Sequence, residues 1–381
     1  MSDLANILPL PGDASSVNRF LRLAYHIYEG DPHWVAPLLM DQKKVFTKAN
    51  PLFQHAEMQL WVASRNGRDV GRIAAILDQN YQGLAKVPTA FFGFYECEDN
   101  PETSRQLFQT AVDWARSRNC EMIMGPMNPT TNDECGLLVE GFDSSPVIMM
   151  TYNPAYYVPL VERAGFVKSK DLLAFEIAMA GIPMERLLKI GSKVKARNPD
   201  VKLRPLLRKT LLQDLDKVKQ VYNEAWQANW GFVPMTDPEV DFMADRLKPL
   251  LMEGLVWLAE VGPEPVGFLL ALPDFNVPLK PLRGKVVTPA LAGFLPYLLG
   301  WKRPHGTRVI TLGVKEKFRG RGLETAMLIE GLKVGFDAGF KVSEASWILE
   351  DNFAMIRILE AIGGKPYKRY RIYERDLSNV R

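Results

Sequence analysis

The stretch VKEKFRGRGLETAML, residues 314–328, places two arginines and two glycines in one short turn. The run before it, RVITLGV from Arg308, is typical of a strand, and the residues after it form a helical pattern that is apolar on most faces. Glycines let a backbone approach a ligand closely, and the first amides of a helix attract an anion. The stretch therefore predicts a strand, an anion-binding turn and a buried helix. The alternative is a basic corner that is simply solvated.

Length and composition define the class of protein to expect. The chain has 381 residues, 47% of them hydrophobic, which predicts a globular protein with two domains. A net charge of +3 gives no reason to expect DNA as a partner, although it suits a small anionic ligand. Three cysteines without paired spacing and four scattered histidines predict neither a disulfide framework nor a metal site. The N-terminus lacks a secretory pattern, so we expect a cytoplasmic protein.

Two pairs of segments indicate an internal repeat. LWVASRNGRDVGRIAAI from Leu60 aligns without a gap with VWLAEVGPEPVGFLLAL from Val256, and both have the pattern of a β-hairpin. At nearly the same offset, NPAYYVPLVERAGF from Asn153 matches NFAMIRILEAIGGK from Asn352, each predicting a short helix that an asparagine caps and a glycine ends. We expect two copies of one domain, residues 1–180 and 181–381, with an insertion at about 274–306 in the second.

The order of predicted elements gives the fold class. Each copy combines helical segments with the hairpin and further apolar strands, such as TAFFGFYE and EMIMG in the first copy and RVITLGV and KVSEASWI in the second. The segment KRYRIYERDL is predicted to be the last strand of the second copy. This order predicts an α/β fold with a mixed sheet in each copy.

With this element order, the C-terminal half resembles the GNAT superfamily of acyl-CoA-dependent N-acyltransferases. The pyrophosphate loop of that family reads Arg/Gln-x-x-Gly-x-Gly/Ala between its fourth strand and third helix, and residues 319–323 match the first five positions. Glu324 stands at the sixth position, where the family has a small residue. WILEDNFAMIRILEAIGG resembles the family's fifth strand and fourth helix, with Leu359 where many members have the tyrosine that protonates the leaving thiolate.

The resemblance implies two tandem GNAT-like domains and a co-substrate, acetyl-CoA or another acyl-CoA, without a metal. The acceptor would be the amine of a small molecule or a peptide. The first copy has CEDNPETS at the position of the loop, and its Glu98, Asp99 and Glu102 are of the wrong sign for a phosphate, so this copy would be degenerate. The residues that the resemblance assigns to acyl-CoA are Leu312, Gly313, Val314, Arg319, Gly320, Arg321, Gly322, Leu323 and Asn352.

The reaction implied is direct acyl transfer, in which a neutral amine attacks the thioester where the fourth strand splays from the fifth. A general base must first take a proton from the amine. Glu344 is the candidate, because alternation in VSEASW puts its side chain on one face with Val342 and Ser346. Glu350 and Asp351 are alternatives. Each of these acids could instead be solvated or paired with a base.

Two further roles need a residue. The backbone amide of Gly313 or Val314 would stabilise the oxyanion. The acid that protonates the thiolate would be Tyr367 or Tyr370, with Tyr373 as a further alternative.

Aromatic residues are candidates for the acceptor pocket. Trp230 and Phe232 flank Gly231 in a loop that borders the acceptor site in the family, and Tyr152 lies in the aromatic segment TYNPAYY. The alternative is that these rings only pin their loops to the core.

Two segments leave the function open. The insertion has Leu295, Tyr297, Leu298, Leu299 and Trp301 followed by basic residues, and it could be a lid over an acyl chain, a membrane-surface patch or a docked helix. The basic stretch 189–209 could meet RNA or an acidic partner, or form a solvated face. The sequence favours an N-acyltransferase; the alternatives are a non-catalytic module that binds acyl-CoA or a partner, and an aminoacyl-tRNA-dependent transferase.

Overall fold

The computed structural model describes residues 4–378, apart from the side chains of Arg208 and Leu212. They divide into two compact units. Unit 1 contains the chain up to Leu172, the segment Leu279–Thr288 and the chain from Lys368 onward. Unit 2 contains Leu173–Pro278 and Pro289–Tyr367. No helix within the described part of the chain is both long enough and apolar enough to cross a membrane.

Unit 1 is built on a mixed sheet. The strands of unit 1 are β1 (Asn6–Leu10), β2 (Ala56–Arg65), β3 (Arg68–Asp78), β4 (Thr89–Cys97), β5 (Met122–Gly125), β6 (Met127–Asn128), β7 (Glu134–Cys135) and β8 (Leu137–Glu140), of which β6 and β7 form a separate two-stranded sheet. Its helices are α1 (Ala14–Ile27), α2 (Leu39–Val45), α3 (Gln79–Gln82), α4 (Pro101–Arg116) and α5 (Tyr157–Arg163). The order β1-β2-β3-β4-β5 has antiparallel pairs up to β4 and a parallel pair β4–β5.

The chain then continues mainly in unit 2. Its strands are β9 (Val167–Ala178), β10 (Val201–Pro205), β11 (Val256–Val261), β12 (Glu264–Pro273), β13 (Gly306–Val314), β14 (Val342–Leu349) and β15 (Lys365–Asp376). Its helices are α6 (Met184–Arg197), α7 (Leu211–Ala225), α8 (Asp237–Leu247), α9 (Asn276–Leu279), α10 (Leu291–Leu298), α11 (Leu323–Asp337) and α12 (Phe353–Ala361). The strand order is β9-β14-β13-β12-β11-β10, in which β13–β14 is a parallel pair and the pairs from β13 to β10 are antiparallel.

Two strands run from one unit into the other. Strand β9 begins in unit 1 and its residues from Leu173 belong to unit 2, beside β14. Strand β15 begins in unit 2, and from Lys368 it belongs to unit 1, where Tyr373 stands opposite Gly125 in an antiparallel pair with β5. The predicted last strand is therefore present, but most of it completes the sheet of the first copy. The boundary between residues 180 and 181 stays a prediction.

Helix α4 illustrates how the sequence sets the elements. The Asn100 side chain accepts a hydrogen bond from the Thr103 amide at 2.9 Å, and Pro101 occupies the first helical position, where an amide hydrogen is not needed. Leu107 and Ala111 lie on one face and are fully buried, as their helical spacing predicts. That face packs in the core of unit 1 with the apolar side of β3 and β4.

The hairpins β2–β3 and β11–β12 confirm the internal repeat. Both contain a bulge, at Ala63/Ser64 and at Ala259/Glu260, which are equivalent positions in the alignment of the two copies. Gly71 and Gly267 are also equivalent. A Cβ on Gly71 would approach Leu107 of α4 to 2.7 Å, and one on Gly267 would approach Met327 of α11 to 2.9 Å. Each copy thus uses a glycine to bring its main helix close to the hairpin.

Of the two helix caps predicted from the second repeated pair, one is present and one is not. Asn352 caps α12 as predicted, because its side chain accepts a hydrogen bond from the Met355 amide at 3.2 Å. Asn153, in contrast, does not cap α5, which begins at Tyr157. Its side chain bonds the amide and the carbonyl of Leu138 at 2.7 and 3.1 Å instead. A proline follows Asn153 and favours extended backbone there, so the amide group satisfies strand β8 rather than a helix.

Candidate functional site

Strands β13 and β14 separate within unit 2. Their parallel pairing ends at Val309↔Ala345, although β13 continues to Val314 and β14 to Leu349. Across from β12, Leu270 pairs with Thr311 and Ala271 with Val309, so Ile310 is an extra residue in β13. Such a bulge bends its strand, and this one lies where the two strands part. The resulting gap is a cleft of about 570 Å³, including its open mouth, whose walls expose both apolar side chains and polar atoms.

The turn between β13 and α11 has the geometry of an anion site. Gly320 and Gly322 both lie in the left-handed region, with φ of +76° and +78°. Gly322 is the N-cap of α11 and supplies no capping side chain, and the first helical hydrogen bond runs from the Ala326 amide to the Gly322 carbonyl at 3.0 Å. The amides of residues 323–325 therefore precede that bond at the positive end of the helix.

The equivalent corner of unit 1 is closed. There the Asn100 side chain accepts a hydrogen bond from an amide in the first turn of α4. Glu98 pairs with Arg65, and Glu102 pairs with Arg105. Acidic side chains and a filled cap leave little room for an anion at this helix. The contrast between α4 and α11 agrees with a loop that only the second copy retains.

The two arginines of the turn brace it. Arg319 donates from Nη2 to the Ala225 carbonyl at 2.6 Å and from Nε to the Val314 carbonyl at 3.2 Å. Arg321 donates to Asn198 Oδ1 at 2.7 Å and pairs with Asp200 at 2.5 Å. The charge of Arg321 is therefore shared with a carboxylate, whereas Arg319 bonds neutral carbonyls and keeps its full positive charge beside the turn.

Glu324 occupies the first turn of α11 and is half-buried. Burial raises the pKa of this carboxyl above its usual range, against the opposing effects of its own backbone amide and of the Arg319 charge. Glu324 thus puts a negative charge at a helix end that otherwise favours anions.

The backbone amides of Gly313 and Val314 in β13 point in opposite directions. The Lys315 amide donates to the Val266 carbonyl at 2.9 Å, and Gly313 stands opposite Phe268 two positions along the same ladder. Because bonded pairs alternate in an antiparallel ladder, the Gly313 amide is directed at β12 and the Val314 amide points to the side of β14. Of the two amides that the sequence offered for the oxyanion, the register therefore favours Val314.

A buried polar network stands at the point where the strands part. Glu344 is 2% exposed, and its two carboxylate oxygens accept hydrogen bonds from the hydroxyls of Ser346 and Tyr367. Arg308, opposite Glu344 in the register and 1% exposed, donates from Nε to Ser346 Oγ at 2.9 Å. Its guanidinium also lies over the Trp347 ring at 5.0 Å. The structure thus brings together two predicted residues, Glu344 and Tyr367, while Ser346 connects them to the cleft wall.

Other predicted residues lie elsewhere. Tyr370 belongs to unit 1, where it is fully buried opposite Leu138 of β8. Tyr152 also belongs to unit 1, and its hydroxyl donates to a carboxylate oxygen of Asp31 at 3.0 Å. Tyr373 is buried in the same unit, with its hydroxyl 3.2 Å from Glu162.

The loop after α7 contributes to the cleft through different side chains from those predicted. Trp226 and Asn229 line the cleft, and Trp230 and Phe232 are not among its lining residues. The Phe232 ring packs at 5.5 Å from Tyr222, which stacks on Trp226 at 5.1 Å. Trp226 in turn covers Gly313, since a Cβ on that glycine would meet the indole at 2.3 Å.

The sequence predicted only some of the residues that form the buried network and the cleft. Arg308 was missed, although a lone arginine at the start of an otherwise apolar strand is a signal of a buried polar role. Leu312 and Asn352, which were assigned to acyl-CoA, do line the cleft, as does Leu359.

Three basic residues of the stretch 189–209 pair with acidic residues of unit 2. Lys189 pairs with Glu185, Lys195 pairs with Glu330, and Arg204 pairs with Asp214 and Glu260. These contacts reduce the positive charge that an RNA partner would meet.

Comparisons with known proteins agree with this fold. The model of the Acetyltransferase (GNAT) family matches residues 215–363, from within α7 to just beyond α12. The Bacterial ceramide synthase of Caulobacter vibrioides is 37% identical over 383 residues, covering 98% of this chain and 97% of that protein. Protein YghO of Escherichia coli is 32% identical over 369 residues, covering 95% and 93%.

Solved structures show the same architecture. A tandem GNAT protein from the clavulanic acid biosynthesis pathway superposes with a TM-score of 0.60 at 15% identity, covering 99% of this chain and all of that one. A GCN5-related N-acetyltransferase from Sphaerobacter thermophilus gives a TM-score of 0.53 at 14% identity, covering 97% and 96%. The repeated mixed sheet, the glycine-rich turn before α11 and these full-length matches together show that the chain belongs to the GNAT family of acyltransferases.

Proposed function

We propose that the chain transfers an acyl group from acyl-CoA to the nitrogen of an amine, forming an amide and releasing CoA. The observation that carries the proposal is the buried carboxylate of Glu344, which two hydroxyl groups hold where β13 parts from β14. A buried carboxylate is costly to maintain and is typical of a site that moves a proton.

Ser346 provides a route for that proton. Its Oγ donates to Glu344 and accepts from Arg308 Nε, and Ser346 itself lines the cleft that the incoming amine would enter. The amine gives a proton to Ser346 Oγ as the hydroxyl proton passes to Glu344, and the neutral nitrogen then attacks the thioester carbonyl. Tyr367 and Arg308 hold the two acceptors in place.

The tetrahedral intermediate is stabilised by the backbone. The Val314 amide, which points away from β12, donates to the developing oxyanion. The intermediate then collapses: the C–S bond breaks, the nitrogen loses the second proton that it carries after attack, and an acid protonates the CoA thiolate, so that a neutral amide and CoA leave. Tyr367 remains a candidate for this acid, but its hydroxyl donates to Glu344, which favours an orienting role.

The turn before α11 would hold the pyrophosphate of CoA. The amides of the first turn of α11 and the charge of Arg319 supply attraction for the anion, while Gly320 and Gly322 allow a close approach of the backbone. The pantetheine arm would then lie between β13 and β14, beside Leu312 and Asn352.

The relative from Caulobacter suggests the kind of acyl group and acceptor. A ceramide is the amide of a fatty acid with the amine of a long-chain base, and this chain is 37% identical to a Bacterial ceramide synthase over almost its full length. We therefore propose a fatty acyl-CoA as donor and a long-chain amine as acceptor.

An assay of CoA release tests the proposal. The purified chain is supplied with acyl-CoAs from acetyl to long-chain and with short and long-chain amines. We expect turnover that requires both substrates. Glu344→Gln is expected to lower kcat at least about 100-fold while CoA binding is retained. Glu253→Gln, at an exposed position of the same unit, is the control and should act as the parent does.

Two results would contradict the proposal. Tight binding of acyl-CoA without turnover across the amines would indicate the non-catalytic module, and unchanged turnover in Glu344→Gln would remove the proposed base.

A further inference from the structure

Helix α10 and the residues after it expose large apolar side chains. The exposed fraction is 44% for Leu295, 48% for Leu298, 55% for Leu299 and 78% for Trp301. We refer to these four residues as the apolar patch. Single exposed hydrophobic residues are common, but four within seven consecutive positions mark a surface that contacts something other than water.

The patch has a definite orientation on its helix. Leu295, Leu298 and Leu299 stand at i, i+3 and i+4, so they share one face. Phe294, which lies beside Leu298 at the edge of that face, is only 7% exposed and is buried against the protein. One side of the helix is therefore docked on the protein while the leucines point outward.

The charged residues that neighbour the patch along the chain are of one sign. No aspartate or glutamate occurs from Phe275 to Lys315, and no charged residue of either sign occurs from Val286 to Trp301. Lys302 and Arg303 follow directly, and both are exposed. An apolar face bordered by positive charge is complementary to a bilayer with anionic headgroups, where aliphatic side chains enter the acyl region, tryptophan prefers the interface and cations meet phosphate.

We propose that the apolar patch binds the surface of an anionic lipid bilayer, with α10 lying in the headgroup region. No transmembrane helix is needed for this contact. The proposal goes beyond acyl transfer, since it assigns a partner to a surface outside the cleft. Vesicle binding is measured without acyl-CoA or amine, so its failure and the failure of the proposed function are separate results.

Co-sedimentation with vesicles tests the proposal. The full chain is mixed with vesicles of phosphatidylcholine and phosphatidylglycerol in equal amounts, and with vesicles of phosphatidylcholine alone. We expect the parent to bind the anionic vesicles more tightly. Leu298→Ser/Trp301→Ser is expected to weaken this binding at least about tenfold. Lys302→Glu should weaken it roughly fivefold for anionic vesicles and leave neutral ones unchanged.

A matched control and the contrary results complete the experiment. Leu84→Ser removes an apolar side chain that is 58% exposed in unit 1 and should bind as the parent does. Thermal unfolding checks that each variant is folded. The proposal is overturned if the parent does not bind anionic vesicles, if the double variant binds as well as the parent, or if the parent binds both kinds of vesicle equally. Loss of self-association in the double variant without any vesicle binding would show that the patch joins two copies of the chain.

Discussion

Glu344 shows how a carboxyl group is accommodated inside the protein. A carboxylate that is 2% exposed is stable only when its oxygens have partners, and Ser346 and Tyr367 provide them. Arg308 stands opposite in the register and secures Ser346, so the network is tied to both strands at the point where they part. The residue that the reaction needs is thus placed by pairing that the fold itself makes.

Glu324, in the first turn of α11, works against the binding of an anion. Its pKa is raised by burial, and a negative charge at the N-terminus of α11 repels the phosphates that the turn attracts. We expect Glu324→Gln to bind CoA about threefold more tightly at neutral pH. In the parent, CoA affinity should rise as the pH falls through the pKa of Glu324, because protonation removes the charge.

Calorimetry over a range of pH measures this effect. The titration of the CoA phosphates is common to both experiments. The difference in CoA affinity between the parent and Glu324→Gln at each pH therefore reports the contribution of the Glu324 side chain. Equal affinities at every pH would mean that Glu324 does not face the ligand.

At the scale of elements, the start of α11 depends on Gly322. Its φ of +78° disfavours a side chain, and a Cβ would also lie 3.2 Å from Val194. We expect Gly322→Ala to lower the free energy of unfolding by about 1–2 kcal/mol and to weaken CoA binding at least about tenfold, because the amides of the turn are displaced.

Gly262→Ala is the matched control for the turn. Gly262 has a φ of +58° in the β11–β12 hairpin of the same unit, and a Cβ there would have no neighbour within 4 Å. This variant should lose a similar amount of stability with unchanged CoA affinity. If both variants bind CoA like the parent, the turn is not the anion site.

Strands β10 and β11 are linked to α7 by a cluster of charges. Hydrogen bonds from Arg204 lower the pKa of Glu260 to about 2, with a further contribution from Lys217 and against the effect of burial. The pKa is lower in the folded state than its ordinary value of 4.5, so the stabilisation is complete above that value and is lost as the pH falls toward 2.

Unfolding at several pH values tests the charge cluster. Glu260→Gln should be less stable than the parent by on the order of 2 kcal/mol at neutral pH, and the two curves should converge in acid. A constant difference down to pH 2 would show that packing, rather than charge, accounts for the loss. Glu253→Gln, which is exposed, should follow the parent throughout.

Sequence signals that span a few residues predicted the helices, strands and turns well. Contacts between distant parts of the chain could not be predicted from them. Hairpin turns, the glycines of the loop and the cap at Asn352 are each encoded within a few residues, so the sequence was sufficient for them. The exchange of β9 and β15 between the units depends on pairing across nearly the whole chain, for which no local pattern exists. For the same reason, the bond between Tyr367 and Glu344 was seen only as two separate candidates, and Trp226 was overlooked in favour of Trp230 and Phe232.

At the scale of the whole molecule, one fold has been used twice with different results. Both copies keep the strand order, the bulge and the glycine beneath the main helix. Only the second copy combines an uncapped helix start with a glycine-rich turn and a gap between its parallel strands. The copies therefore share the features that build the fold and differ in those that would bind a ligand.

This difference predicts the stoichiometry of binding. We expect one CoA per chain by calorimetry, and Gly322→Ala should weaken that single site. Asn100→Gly, which removes the side-chain cap of α4, should leave the stoichiometry and the affinity unchanged. Two sites per chain would show that the first copy has kept an anion site despite Glu98 and Glu102.

The most direct test of acyl transfer is the identity of its products. The full chain is incubated with a fatty acyl-CoA labelled in the acyl group and with a long-chain amine, and the products are analysed by mass spectrometry together with the free CoA thiol. We expect a labelled amide formed in equal amount to the CoA released, and both products formed at least about 100-fold more slowly with Glu344→Gln. Release of CoA with free fatty acid and no amide, or no release at all, would contradict it.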